Sequence, residues 1–132
     1  MTDGSHDSAA LHAAVLDPSV LAGYEEISPG LAAELVTMFV EDVPLRLEAL
    51  RTAAAEGDLK ELGQVAHTLK GTSSNLGAAQ LAACCSALQA GAGRGSTPEI
   101  AALLDAVERS WEQVRAMLQA AAGAAGEAAT AD

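Results

Sequence analysis

Between residues 58 and 76 apolar positions recur with a helical period. Leu62, Ala66, Leu69, Ser73 and Leu76 step by three and four, so a helix here carries one core-facing stripe, with Ser73 small enough to join it. Comparable stripes are Leu31, Leu35, Met38 and Phe39, then Leu45, Leu47 and Leu50, then Leu81, Cys85 and Leu88. The longest comprises Ile100, Leu103, Leu104, Val107, Trp111, Val114 and Leu118. Asp17-Pro18, Ser28-Pro29 and Thr97-Pro98 each place a capping side chain before a proline at the first helical position. Asp58 with Glu61 resembles a capping box, and Gly57 just before it closes the preceding helix. Pro44, after Asp42 and Val43, predicts a break or sharp kink.

The pattern therefore predicts helices near 18–25, 29–42, 44–56, 59–76, 78–91 and 98–122, with GAGRGST as a flexible loop between the last two. Short connections imply antiparallel neighbours. The expected fold is all-α, an antiparallel up-down four-helix bundle with one or two short additional N-terminal helices. One domain spans 17–120, between a flexible N-terminal tail over 1–16 and a flexible Ala/Gly-rich tail over 121–132. His6 and His12, in the first tail, are expected to be incidental.

Composition narrows the function. Half of the 132 residues are hydrophobic, much of that alanine, and Tyr24, Phe39 and Trp111 are the only aromatics, with Phe39 and Trp111 expected to pack in or beside the core. Alanine and leucine with few β-branched residues favour helix throughout. A net charge of −11 argues against nucleic acid, whose binding needs a basic patch. No apolar run is long enough to span a membrane and no basic-then-apolar leader opens the chain, so the cytoplasm is expected. Cys84 and Cys85 are adjacent in a helical pattern and point apart, which disfavours a disulfide, and no ligand histidine stands near them for zinc. At least one is expected in the core.

The chemistry gathers around His67. Lys70 and Gly71 follow it at i+3 and i+4 and Ser74 at i+7, so an imidazole, an ammonium and an absent side chain share one helical strip. That strip lies at the edge of the core stripe or outside it, which predicts a solvent-accessible His67. Glycine in a helix costs about 1 kcal/mol against alanine. Gly63 and Gly71, one turn either side of His67, thus call for a reason, and clearance for a partner is one. The chain has no Gly-rich ATP phosphate loop and no acidic cluster to hold Mg²⁺.

The run AHTLKGTSSNLGA, residues 66–78, resembles the signature of histidine-containing phosphotransfer (HPt) domains at Ala66, His67, Leu69, Lys70, Gly71, Ser73, Gly77 and Ala78. The similarity extends over roughly residues 17 to 120. It implies a phosphorelay carrier, not an ATP-using enzyme, in which His67 accepts a phosphoryl group from a receiver phospho-aspartate and passes it to another receiver. Lys70 would stabilise the phosphoryl charge, and Gly71, Gly63 and Ser74 would clear the partner's approach. Gln89, on the next helix, matches a position that can orient the histidine ring, and Gly77 would supply the turn between the two helices. The implied partners are receiver domains of a hybrid histidine kinase and of a response regulator. The receiver brings the Mg²⁺; no cofactor or metal is expected on this chain, and a monomer is expected. Two alternatives are a phosphotransfer domain of a chemotaxis-type kinase, phosphorylated in trans, and a helical adaptor that binds a receiver without transfer. Met1 and the Ala/Gly-rich C-terminus favour a free-standing protein.

Overall fold

The computed structural model describes residues 15–130, with side chains through residue 124. Among the described residues five helices follow in order: α1 Pro18–Ile27, α2 Leu31–Glu56, α3 Leu59–Asn75, α4 Ala79–Arg94 and α5 Thr97–Thr130. The four long helices form an antiparallel bundle, α3 packing between α2 and α4 and α5 closing the ring against both. The short α1 lies across α2 and α5. No strand occurs among the described residues. The expected all-α bundle is the observed fold, with one short additional helix among the described residues.

Caps explain most boundaries. Asp17 accepts a hydrogen bond from the Ser19 N–H at 3.0 Å, and Asp58 accepts one from the Glu61 N–H at 3.1 Å, as their spacing predicted. The start of α2 differs. Instead of opening at Pro29 under a Ser28 cap, α2 begins at Leu31, and the Glu25 carboxylate of α1 accepts from the Gly30 and Ala32 N–H groups. A side chain from the preceding helix supplies this cap, which no local spacing reveals.

Pro44 does not divide the second segment: α2 runs through it for 26 residues. Val36, Phe39, Val43, Leu47 and Leu50 form one buried stripe in continuous phase across the proline. Burying such side chains yields about 1.5–3 kcal/mol each, against about 3 kcal/mol for a proline inside a helix. Keeping the stripe in register wins, and Pro44 itself faces solvent. The same phase turns Met38 and Leu45 outward, at 64% and 68% exposure, contrary to their expected core positions.

The loop expected at GAGRGST is also shorter than the pattern implied. Helix α4 continues to Arg94 and only Gly95 and Ser96 link it to α5. Gly91 and Ala92 are buried. A Cβ on Gly91 would stand 2.5 Å from Leu103 Cδ1, so this glycine serves close helix packing, not a turn. At the chain ends, Val15 and Leu16, assigned to the first tail, are core residues, while 1–14, including His6 and His12, lie outside the described residues. Helix α5 runs on to Thr130, through most of the segment expected as a flexible tail.

The core behind the histidine helix follows its sequence stripe. Leu62, Ala66, Leu69, Ser73 and Leu76 are all buried, together with Val65. Phe39 and Trp111 meet edge to face inside the bundle, centroids 5.6 Å apart at 82°. Cys85 is buried and Cys84 half-buried, both as free thiols. Burial pushes the Cys85 thiol up to about 12.

Candidate functional site

Helix α3 is anchored on its core face and open on the other. Its C-terminal end is held by α1: the Tyr24 hydroxyl donates to the Asn75 carbonyl at 2.8 Å and the Asp17 N–H donates to the Gly77 carbonyl at 2.8 Å. Gly77 adopts φ +78°, and a Cβ there would stand 2.6 Å from the Asp17 carbonyl oxygen. Only glycine permits both the left-handed turn and this approach. The turn between the helices is thus the role seen for Gly77, and it fixes α3 against α4.

On the open face His67 is exposed, Lys70 is half-buried, and Gly71 and Ser74 are exposed. A Cβ on Gly71 would meet nothing within 4 Å. Gly63 differs. Its Cβ would lie 3.9 Å from the Ala92 Cβ, an ordinary packing contact, so Gly63 belongs to the α3–α4 seam as well as to the space beside the histidine. The predicted strip is therefore together in space, but its two glycines face different things.

His67 stands at the edge of a groove of about 620 Å³ between α3 and α4, whose lining includes Lys60, Gly63, Gln64, Thr68 and Gln89. Gln89 thus shares the groove with His67. Among the described residues, however, no hydrogen bond reaches the imidazole from Gln89 or from any other group. Lys60 and Gln64 were not singled out from the sequence, although their i−7 and i−3 positions give them nearly the phase of His67. No cluster of three or more His, Cys, Asp or Glu able to hold a metal occurs among the described residues.

A second groove, of about 590 Å³, opens on the α2 side of α3. Met38 and Leu45 supply its exposed apolar surface, and Tyr24, Thr72 and Asn75 border it. Thr72 and Asn75 are carried by the histidine helix, so the two grooves flank one ridge.

An exposed histidine on the ridge of a four-helix bundle, followed by Lys70 and an uncovered Gly71, is the geometry the resemblance implied. The Hpt domain family model matches residues 34–124, about two-thirds of the chain and all of α3 and α4. The chain belongs to the Hpt domain family. Among solved structures, this Hpt domain is similar to histidine-containing phosphotransfer protein B (HptB) from Pseudomonas aeruginosa PAO1. The two share 35% sequence identity with a TM-score of 0.76, over 83% of this chain and 95% of that one. No curated protein matches it. Histidine phosphotransfer in phosphorelays is the role that family and fold together support. No helix among the described residues is long and apolar enough to cross a membrane.

Proposed function

We propose that His67 is the phosphoryl-accepting residue of this Hpt domain, and that it shuttles the group between two receiver domains. The observation that carries this is the exposed imidazole on the ridge of α3, with Lys70 one turn on and open space above Gly71. One unprotonated ring nitrogen attacks the phosphorus of a receiver phospho-aspartate in line with the carboxylate oxygen. The N–P bond forms as the P–O bond breaks, the aspartate carboxylate leaves, and the other ring nitrogen keeps its proton. The second transfer is the reverse step onto a different receiver aspartate. Such a transition state is loose, so catalysis is mostly alignment and charge neutralisation.

Lys70 pairs with the transferring oxygens as a point charge. Gln89, which lines the same groove, orients the ring in the assembled complex. The receiver supplies Mg²⁺ and its acidic pocket, which completes a centre of which this chain holds half. A protein interface covers about 800 Å² on each partner. A receiver seated on His67 therefore also reaches the Met38–Leu45 groove, continuous with the same ridge, and gains apolar contact there. The site of action is the cytoplasm, with the Hpt domain acting as a monomer.

The test is incubation with a phosphorylated receiver, following acid-labile, base-stable label on the Hpt domain. Label should appear on the wild type and be absent from His67→Gln. Lys70→Ala should slow transfer by about ten- to a hundredfold without changing helix content. Label persisting on His67→Gln would refute the assignment.

A further inference from the structure

The groove beside His67 is lined by one cation, Lys60, distinct from the Lys70 that follows His67 on the ridge, and local structure does not explain its presence. Lys60 stands two turns before His67, about 20° from it around α3, and lines the same groove. It is the second residue of the helix, where exposed N–H groups and the helix dipole favour carboxylates and disfavour cations. Asp58 and Glu61 on either side obey that preference; Lys60 does not.

Among the described residues no carboxylate forms an ion pair with it. The five arginines of the chain are each ion-paired: Arg46 with Asp42, Arg51 with Glu108, Arg94 with Glu99, Arg109 with Asp105 and Arg115 with Glu112. The two lysines, Lys60 and Lys70, have no such partner among the described residues. The wall contributed by α4, with Gln89, Ala92 and Gly93, carries no charge. In a chain of net charge −11, the two cations that lack an ion pair among the described residues thus bracket one histidine.

We propose that Lys60 is a docking residue for the receiver, which grips a carboxylate on the rim of the receiver's phosphorylation pocket while Lys70 attends the phosphoryl group. The proposal rests on the phosphotransfer reading above and adds a recognition element to it. Seven helical residues rise about 10 Å, which separates Lys60 from the transferred phosphorus and places it over the pocket's surroundings. A pocket built from carboxylates is repelled by a partner that is acidic overall. A short positive strip along α3 reverses this locally and fixes which way the receiver lies on the helix. Lys60 should therefore govern capture, not the transfer step.

Single-turnover transfer from a phosphorylated receiver separates the two quantities. The variants are Lys60→Ala, Lys60→Arg, Lys60→Glu and, as a control, Ala102→Glu, at an exposed position on α5 outside the groove. Lys60→Ala and Ala102→Glu shift the net charge by the same single unit. The half-saturating receiver concentration should rise about threefold in Lys60→Ala and about tenfold in Lys60→Glu, with a shallower salt dependence. Lys60→Arg and Ala102→Glu should stay close to wild type, and the maximal rate should hold within about twofold throughout. Wild-type behaviour of Lys60→Glu would overturn the proposal. So would equal effects of Ala102→Glu and Lys60→Ala, which would reduce it to net charge, or a lowered maximal rate at unchanged half-saturation. Absence of label on the wild type would instead refute phosphotransfer itself.

Discussion

Gly71 sets stability against function in one position. It lies inside α3, its φ is not among the four positive-φ glycines, and a Cβ there meets nothing within 4 Å. The fold therefore has no need of glycine at residue 71. Gly71→Ala should stabilise the folded state by about 0.8–1 kcal/mol through helix propensity and reduced freedom of the unfolded chain. For a domain of this length that raises Tm by roughly 3–4 °C. Gly71→Leu should keep most of that gain, since its side chain also projects into solvent. Transfer should respond in the opposite direction. One turn beyond His67 on the same strip, an alanine should slow transfer by about two- to fivefold and a leucine by more than tenfold, about 1.4 kcal/mol in the transition state. The assays are a calorimetric or circular-dichroism melt and single-turnover transfer from a phosphorylated receiver, on the same preparations. A stabilised Gly71→Leu variant that transfers like wild type would refute the clearance argument. A destabilised Gly71→Ala would show instead that the fold requires this glycine.

Three further expectations concern the scaffold. Ser73 is buried with its Oγ unpartnered among the described residues, whereas Ser110, the other buried polar residue, donates to Gln80. Ser73→Ala should therefore raise stability by about 1 kcal/mol in urea denaturation and leave transfer unchanged, and a loss would mean the hydroxyl holds a hydrogen bond. Gly77→Ala forces a Cβ onto the Asp17 carbonyl at positive φ and should cost about 2–4 kcal/mol in the same titration; unchanged stability would show that α1 does not pack against this turn. The Cys85 thiol, raised to about 12 by burial, keeps its proton in the folded state after the unfolded chain has lost it near 9. Stability should thus be intact below about pH 9 and fall by up to about 1.4 kcal/mol per pH unit between there and 12. Cys85→Ala should make this slope shallower, leaving the part due to the half-buried Cys84 thiol, which burial also raises, and an unchanged slope in that variant would refute the assignment to Cys85.

Much of the site was legible because it lies on one helix. Helical phase alone puts His67, Lys70, Gly71 and Ser74 on one strip and Ala66, Leu69 and Ser73 on the core stripe beside it, and both assignments hold in the fold. The same phase contained Lys60, but a lone lysine seven residues away carried no signal until the arginines were seen to be paired. Gln89 entered by resemblance to the family, and only the packing of α4 on α3 brings it into the groove with His67. Gly63 and Gly71 look alike in sequence; one faces Ala92 and the other faces solvent.

The sequence by itself determined the all-helical class, the antiparallel order and the face on which the chemistry stands, because period, caps and turns act over a few residues. Tertiary structure decided where local preference was outweighed. Pro44 stays inside α2 because five buried side chains keep one phase across it. Residues 91–94 are helical because Gly91 lets α4 approach Leu103, although glycine favours a loop. Met38 and Leu45 are surface, and so available to a partner, because the phase imposed by the core turns them outward. Each of these outcomes depends on what another helix offers at the same height in the bundle, which no local window of sequence contains.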